Sequence, residues 1–229
     1  MSKTPLRISA TAIDQFLRIG EMDFDAPDEL FTAEKYIAEV KRGWVPTPAK
    51  TFGTAFGEII TEPEKYNLDG NGKYVKFTHK ENEVWHFHDF DEKQVELGIK
   101  LMSEYERNYG AFWEIKSELK FGDVTVVCKC DVLTPNFVIE NKTTARFEKQ
   151  NYIDSFQWRF YLLAFQVEFV RYHVFEFSNA KYREMKWHYE FEVRPYDEML
   201  RDCQNVVENM AAFIYANNLE NYFKPYEKR

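Results

Sequence analysis

The chain has 229 residues, 45% of them hydrophobic and 17% aromatic. That is apolar material for one large domain with a substantial core, and it excludes a disordered chain. No apolar run is long enough to cross a bilayer, and the opening MSKTPLRISATAI lacks the apolar stretch of a secretory signal. A formal charge of −8 disfavours non-specific nucleic-acid binding, yet carboxylates gathered around a divalent cation give the same sign, which the ion then reverses locally.

No internal repeat is present. RISATAIDQFLRIG predicts a short helix, capped by Ser9 or Thr11, with Ile13, Phe16 and Leu17 as its apolar stripe. FTAEKYIAEVKRGW predicts a second helix ending near Gly43. VPTPAK reads as a loop, followed by a helix over TFGTAFGEIITE that Pro63 stops. Residues 66–91 are turn-rich and read as a small β excursion, and DEKQVELGIKLMSEYERNYG as a long amphipathic helix. Three strands are expected between Phe112 and Thr144, joined by turns at Gly122-Asp123 and Pro135-Asn136. A helix over YIDSFQWRFYLLAFQVE, strands over FVRYHVFEFS and MKWHYEFEVR, and a carboxy-terminal helix complete the order. Such an order predicts a single α/β domain over residues 1–229 with a central mixed sheet flanked by helices.

The second of those hairpins carries charge at one end. On a strand Val138, Glu140 and Lys142 share one face, and Phe137, Ile139 and Asn141 the other. With a two-residue loop at Pro135-Asn136, Thr134 pairs with Phe137 and Asp131 falls opposite Glu140. A three-residue loop sets Asp131 opposite Ile139 and separates the acids. The even loop therefore predicts one apolar face and one face bearing Asp131, Glu140 and Lys142. Facing carboxylates repel by up to about 1 kcal/mol. A magnesium or manganese ion, which prefers oxygen ligands, removes that cost, and a lysine beside it can orient a water. The alternative is a cross-strand salt bridge between Lys142 and one of the acids.

Asp131, eight residues and then Glu140-Asn141-Lys142-Thr143, following an apolar strand, resembles the PD-(D/E)XK nuclease superfamily, and within it the RecB-type and phage-exonuclease branch. The resemblance implies a restriction-endonuclease-like core and a magnesium- or manganese-dependent deoxyribonuclease, an exonuclease of recombination, repair or phage replication. Asp131, Glu140 and Lys142 would then be catalytic, with Glu58, Asp131, Glu140 and the carbonyl of Asn141 around the metal. GTAFGEIITE is similar to the branch's first motif. Gly53 matches its glycine, Gly57 stands where a histidine is usual, and Glu58 follows. Glu58 and Glu62, four apart, otherwise read as a solvated acidic face. Gln157 and Tyr161 resemble the Q-x-x-x-Y motif that borders the site and the DNA path; the alternative is a core tyrosine and an exposed glutamine. Relatives with an iron–sulfur cluster carry cysteines near both ends, a pattern missing here, so no cluster is expected. A non-catalytic nucleic-acid-binding module on the same fold is the second functional class.

Thr143, Thr144, Arg146 and Lys149 could contact phosphates, or could line a solvated loop. His86 and His88, with His79, have zinc- or iron-compatible spacing, against a reading as surface histidines. Cys128, Cys130 and Cys203 form no even disulfide framework, so a reducing, cytoplasmic setting and buried free thiols are expected. Trp158, Phe160 and Phe165 read as core. DNA is the expected partner and a membrane is not; whether the chain forms a homo-oligomer is left open.

Overall fold

In the computed structural model residues 4–21, 29–43, 45, 47–61, 73–78, 85–90, 92–178 and 184–224 are described. Glu62, Pro63 and His79 lie outside them, as do residues 66–72 of the expected β excursion.

The chain begins with a strand where helix alone is expected: β1 spans Leu6–Ser9 and α1 Ala10–Leu17. Ser9, not Thr11, is the cap; its hydroxyl accepts the Ala12 N–H at 3.1 Å. α2 covers Ala33–Arg42, capped by Thr32 and ended by Gly43 at φ 77°. α3, Pro48–Thr61, starts earlier than the sequence reading has it. Thr47 Oγ1 accepts the Lys50 N–H at 3.2 Å, so Pro48 occupies the first helical position, where its missing N–H is harmless. β2 (Lys73–Thr78) and β3 (Trp85–Phe90) pair as an antiparallel hairpin, the expected excursion. His86 and His88 fall on β3 opposite Phe77 and Val75. α4 is Glu92–Tyr109.

The expected three strands are five. β4 (Phe112–Trp113) and β5 (Lys116–Phe121) lie on one side of the first hairpin, β6 (Val124–Lys129) and β7 (Val132–Leu133) on the other, and β8 is Phe137–Thr144. Both sides break at the same level. Glu114 adopts φ 56°, and the ladder continues across the break through Glu114 N–H to Asp131 O at 2.9 Å and Cys130 N–H to Ile115 O at 3.1 Å. The break changes which residues share a face: Cys130 packs in one core and Val132 in the other, although alternation would put them together.

The predicted helix after β8 is two, α5 (Lys149–Asp154) and α6 (Gln157–Phe165). The division has a cause in α1. Asp14 accepts from Ser155 Oγ and from the Phe156 N–H, both at 2.6 Å, and so supplies the α6 amino terminus with a cap from a distant part of the chain. β9 (Phe169–Phe177), β10 (Met185–Val193) and α7 (Met199–Ala216) follow as expected, ending in a 3₁₀ turn at Glu220–Tyr222.

Two mixed sheets result, β1-β6-β5 and β10-β9-β8-β7-β4, in which β1 runs parallel to β6 and β8 parallel to β9. The expected α/β class with a mixed sheet flanked by helices is therefore what forms. β8 and β9 are buried on both faces. Val138, Val170, Tyr172 and Val174 enter a core shared with α1, α6 and α7. Phe137, Ile139, Phe175 and Phe177 enter a second core with α3 and α4. The hairpin thus has no single apolar face: Val138 is buried on the same side as Glu140, because helices cover the sheet on both sides.

Candidate active site

Val132 pairs with Ile139 and Leu133 with Val138, and the Thr134 N–H donates to Phe137 O at 2.9 Å. The loop is therefore the even one, and the same register sets Asp131 opposite Glu140. Thr134 fixes it locally, its hydroxyl bridging the Phe137 N–H and C=O at 3.0 and 2.8 Å. Asp131 Oδ2 accepts the Asn141 N–H at 2.8 Å, tying the end of the first strand to the second beyond the last ladder pair.

Behind the acids runs a continuous hydrogen-bonded chain. Lys142 Nζ lies 2.6 Å from Glu140 Oε1 and donates to Gln157 Oε1 at 3.0 Å. Gln157 Nε2 donates to Tyr161 OH at 2.7 Å, and that hydroxyl donates to Lys129 O at 2.6 Å. One turn of α6 thereby holds Gln157 and Tyr161 on one face, pointed at the lysine. Both are buried: Gln157 is not the exposed glutamine of the alternative reading, whereas Tyr161 is the core tyrosine of that reading and also carries this hydrogen bond. Thr11, on α1, adds a 3.4 Å contact to Gln157 Nε2. Asp14 carries no signal of this role in the sequence, because its partners are 141 and 142 residues away.

The electrostatics are those of acids withdrawn from water. Glu140 is 3% exposed, and burial, reinforced by Asp131, pushes its pKa up to about 7. Burial likewise raises Asp131. Burial alone would lower Lys142, but Glu140 and Asp131 outweigh it and its pKa is raised. Glu140 Oε2 and Asn141 Oδ1 are buried without a hydrogen-bond partner. A carboxylate oxygen left in that state costs free energy unless something positive meets it. The donors here are oxygens, and a hard divalent cation suits them.

A cleft of about 840 Å³ opens beside α3, lined by Glu58, Asp131 and Asn141 together with Gly53, Thr54, Gly57, Trp113, Glu114 and Lys129. Glu58 and Asp131 line this cleft while Glu140 and Lys142 do not, so the expected single face bearing Asp131, Glu140 and Lys142 is not what the cleft presents; the strand break at Asp131 interrupts the alternation. Among the described residues no three His, Cys, Asp or Glu side chains converge as a ready metal site. Gly53 allows α3 to approach β8: a Cβ there would stand 2.9 Å from Thr143 Oγ1. Thr143 accordingly faces α3. A Cβ on Gly57, which lines the cleft, would meet open space among the described residues. Arg146 stands apart from the cluster, 84% exposed and paired with Glu148 at 3.0 Å. Burial pushes the thiols of Cys128, Cys130 and Cys203 up to about 12, as expected for inert core cysteines.

Among the described residues no helix is long and apolar enough to cross a membrane. No family model and no curated protein matches the sequence. Among solved structures the chain is similar to an alkaline exonuclease from Laribacter hongkongensis, at 10% identity and a TM-score of 0.49, covering 92% of this chain and 89% of that one. It is similar to a candidate exonuclease from Eubacterium rectale, at 11% identity and a TM-score of 0.47, covering 93% and 82%. It is also similar to the protein SSO0001, at 16% identity and a TM-score of 0.46, covering 91% and 78%.

Proposed function

We propose that the protein is a metal-dependent nuclease that hydrolyses phosphodiester bonds in DNA, acting as an exonuclease, with Asp131, Glu140 and Lys142 as its catalytic residues. The observation that carries the reading is the even register, which sets Asp131 opposite a buried Glu140 whose Oε2 has no partner, beside a charged Lys142. Asp131, Glu140, Glu58 and the main-chain carbonyl of Asn141 would hold a magnesium or manganese ion. When bound, it supplies Lewis acidity and offsets charge on the phosphoryl group.

The chain's own residues do the positioning. Lys142 is held from two sides, by Glu140 and Gln157, so its ammonium has a fixed direction. Its raised pKa keeps it protonated at neutral pH. A protonated lysine cannot remove a proton; it donates a hydrogen bond, to orient the attacking water, and offsets negative charge at the phosphate. Tyr161 prevents Gln157 from turning away. Thr143 and the exposed Arg146 would lie along the DNA outside the reacting centre.

The test is release of nucleotides from DNA in magnesium or manganese. Asp131→Ala and Lys142→Ala should each reduce the rate about 10²–10⁴-fold. Parent-like cleavage by both variants would remove the site assignment. A second reading, a binding module that keeps the fold without catalysis, is favoured by the lack of three converging acids among the described residues. Calorimetric titration with manganese separates the two: DNA binding without a carboxylate-dependent manganese isotherm selects the module.

A further inference from the structure

The side chains of Trp113, Glu114 and Lys129 line the cleft and have no part in the reading above. They sit at the level where both sides of the first hairpin break. The Glu114 N–H donates to Asp131 O, so Trp113 and Glu114 are tied to the candidate metal-binding aspartate through one main-chain bond. Glu114 holds φ 56°, a conformation that non-glycine residues adopt at some cost and that clusters at functional sites.

The charge of the cleft poses a problem that these residues answer. Its described acids are Glu58, Glu114 and Asp131, and its described base is Lys129. Lys142 is held by Glu140 and Gln157 and does not line the cleft. Among the described lining residues, a phosphodiester entering along this wall therefore meets a cation only at Lys129. That ammonium is paired with Glu114, but both side chains are half-exposed, at 44% and 52%. Such a pair contributes about 0–1 kcal/mol, so an incoming phosphate can displace Glu114 readily. Trp113 supplies the other half of a nucleotide site. It packs on Tyr105 with ring centroids 6.0 Å apart and so has a fixed platform, and it contributes to the cleft wall. A nucleobase offers its π-face only when unstacked from its neighbour. A volume of about 840 Å³ suits a nucleotide or two, in the range of small-ligand sites.

We propose that Trp113 and Lys129 form a nucleotide subsite that takes an unpaired DNA strand, with a base against the indole and a backbone phosphate on the ammonium. The substrate reaching the reacting centre is then a single strand or a frayed end. The proposal rests on the nuclease reading for its choice of ligand, and binding measured without turnover separates the two.

The experiment is fluorescence anisotropy of the full chain in chelator, with a labelled thymidine strand of about twelve nucleotides and a blunt duplex of the same length. Trp113→Ala should weaken binding of the single strand about tenfold or more and that of the duplex less than twofold. Trp113→Phe should retain most of the affinity. Lys129→Ala should reduce the slope of log affinity against log salt by about 0.7 for the single strand. Equal losses for both DNAs, no loss with Trp113→Ala, or an unchanged salt slope with Lys129→Ala would each overturn the subsite. If Trp113→Ala does not fold, the Trp113→Phe affinity and the Lys129→Ala slope decide. The expected binding pattern without cleavage in any metal would sink the nuclease reading and leave the subsite standing.

Discussion

Glu140 is a carboxylate placed where water does not reach, opposite another carboxylate. Its ordinary pKa is 4.5 and its folded value about 7, with burial the larger cause and Asp131 the second. The folded state therefore holds a proton that the unfolded chain has released between those values. Its contribution to stability is full below pH 4.5 and is lost as pH rises through 7, at up to about 1.4 kcal/mol per unit. Glu140→Gln stays neutral throughout. In chelator, the stability of this variant relative to the parent should grow from pH 4.5 to 7, measured by urea unfolding at each pH. Manganese should restore the parent and leave the variant unchanged. A variant and parent with parallel curves would show that Glu140 is not the strained group described here. Lys142 beside it was legible as a charged neighbour two residues along one face. That it also meets Gln157 was not, because the two belong to different elements.

At the scale of elements, the close contacts among α3, α4 and β8 shape the cleft. α4 meets α3 at Gly98, where a Cβ would stand 2.7 Å from Ile59 Cγ2 and 2.8 Å from the Ile59 carbonyl oxygen. In an isolated helix, replacing glycine by alanine stabilises by about 1 kcal/mol. Here the clash is with main chain, which cannot move aside without shifting α3. Gly98→Ala should therefore destabilise by about 1–3 kcal/mol, read from the urea midpoint, and should disturb Glu58 through the displaced helix. A stabilised variant would show that α3 and α4 are not in such close contact. The sequence marks the helices by their apolar stripes, yet a glycine within a stripe does not reveal which neighbour it admits. The same holds for α5 and α6. Their pattern reads as one helix, and the division at Ser155 comes from Asp14 on α1.

Across the whole molecule, a second buried titrating group works in the opposite sense from Glu140. His173 lies on β9 beneath α4, with Nδ1 2.9 Å from His188 Nε2 and its ring edge-on to Tyr105 at 5.5 Å. Glu190 reaches to 4.0 Å, and Arg171 adds positive charge nearby. Burial, then His188 and Arg171, lower its pKa from 6.5 to about 3. The unfolded chain takes up a proton that the folded state refuses. This contribution is present above pH 6.5 and is lost as pH falls toward 3. Between pH 4.5 and 6.5 the two groups oppose each other. In chelator the stability of the parent relative to His173→Phe should therefore rise with pH over that range, by up to about 1.4 kcal/mol per unit. Parallel curves for the two would contradict the assignment of His173.

By itself, the sequence determined the class of fold and, once its loop is even, the register of the charged hairpin. These follow from alternation, helical periodicity and turn chemistry, which act between residues close in the chain. Tertiary structure decided the strand break at Glu114 and Cys130-Asp131, the covering of β8 on both faces, and the holding of Lys142 by Gln157. It also decided that Glu58 and Asp131 line one cleft while Arg146 does not. Those outcomes depend on contacts between distant segments and on which helix covers which face of a sheet. Such contacts satisfy buried polar groups and fill space, and they leave no periodic trace in the residues that make them.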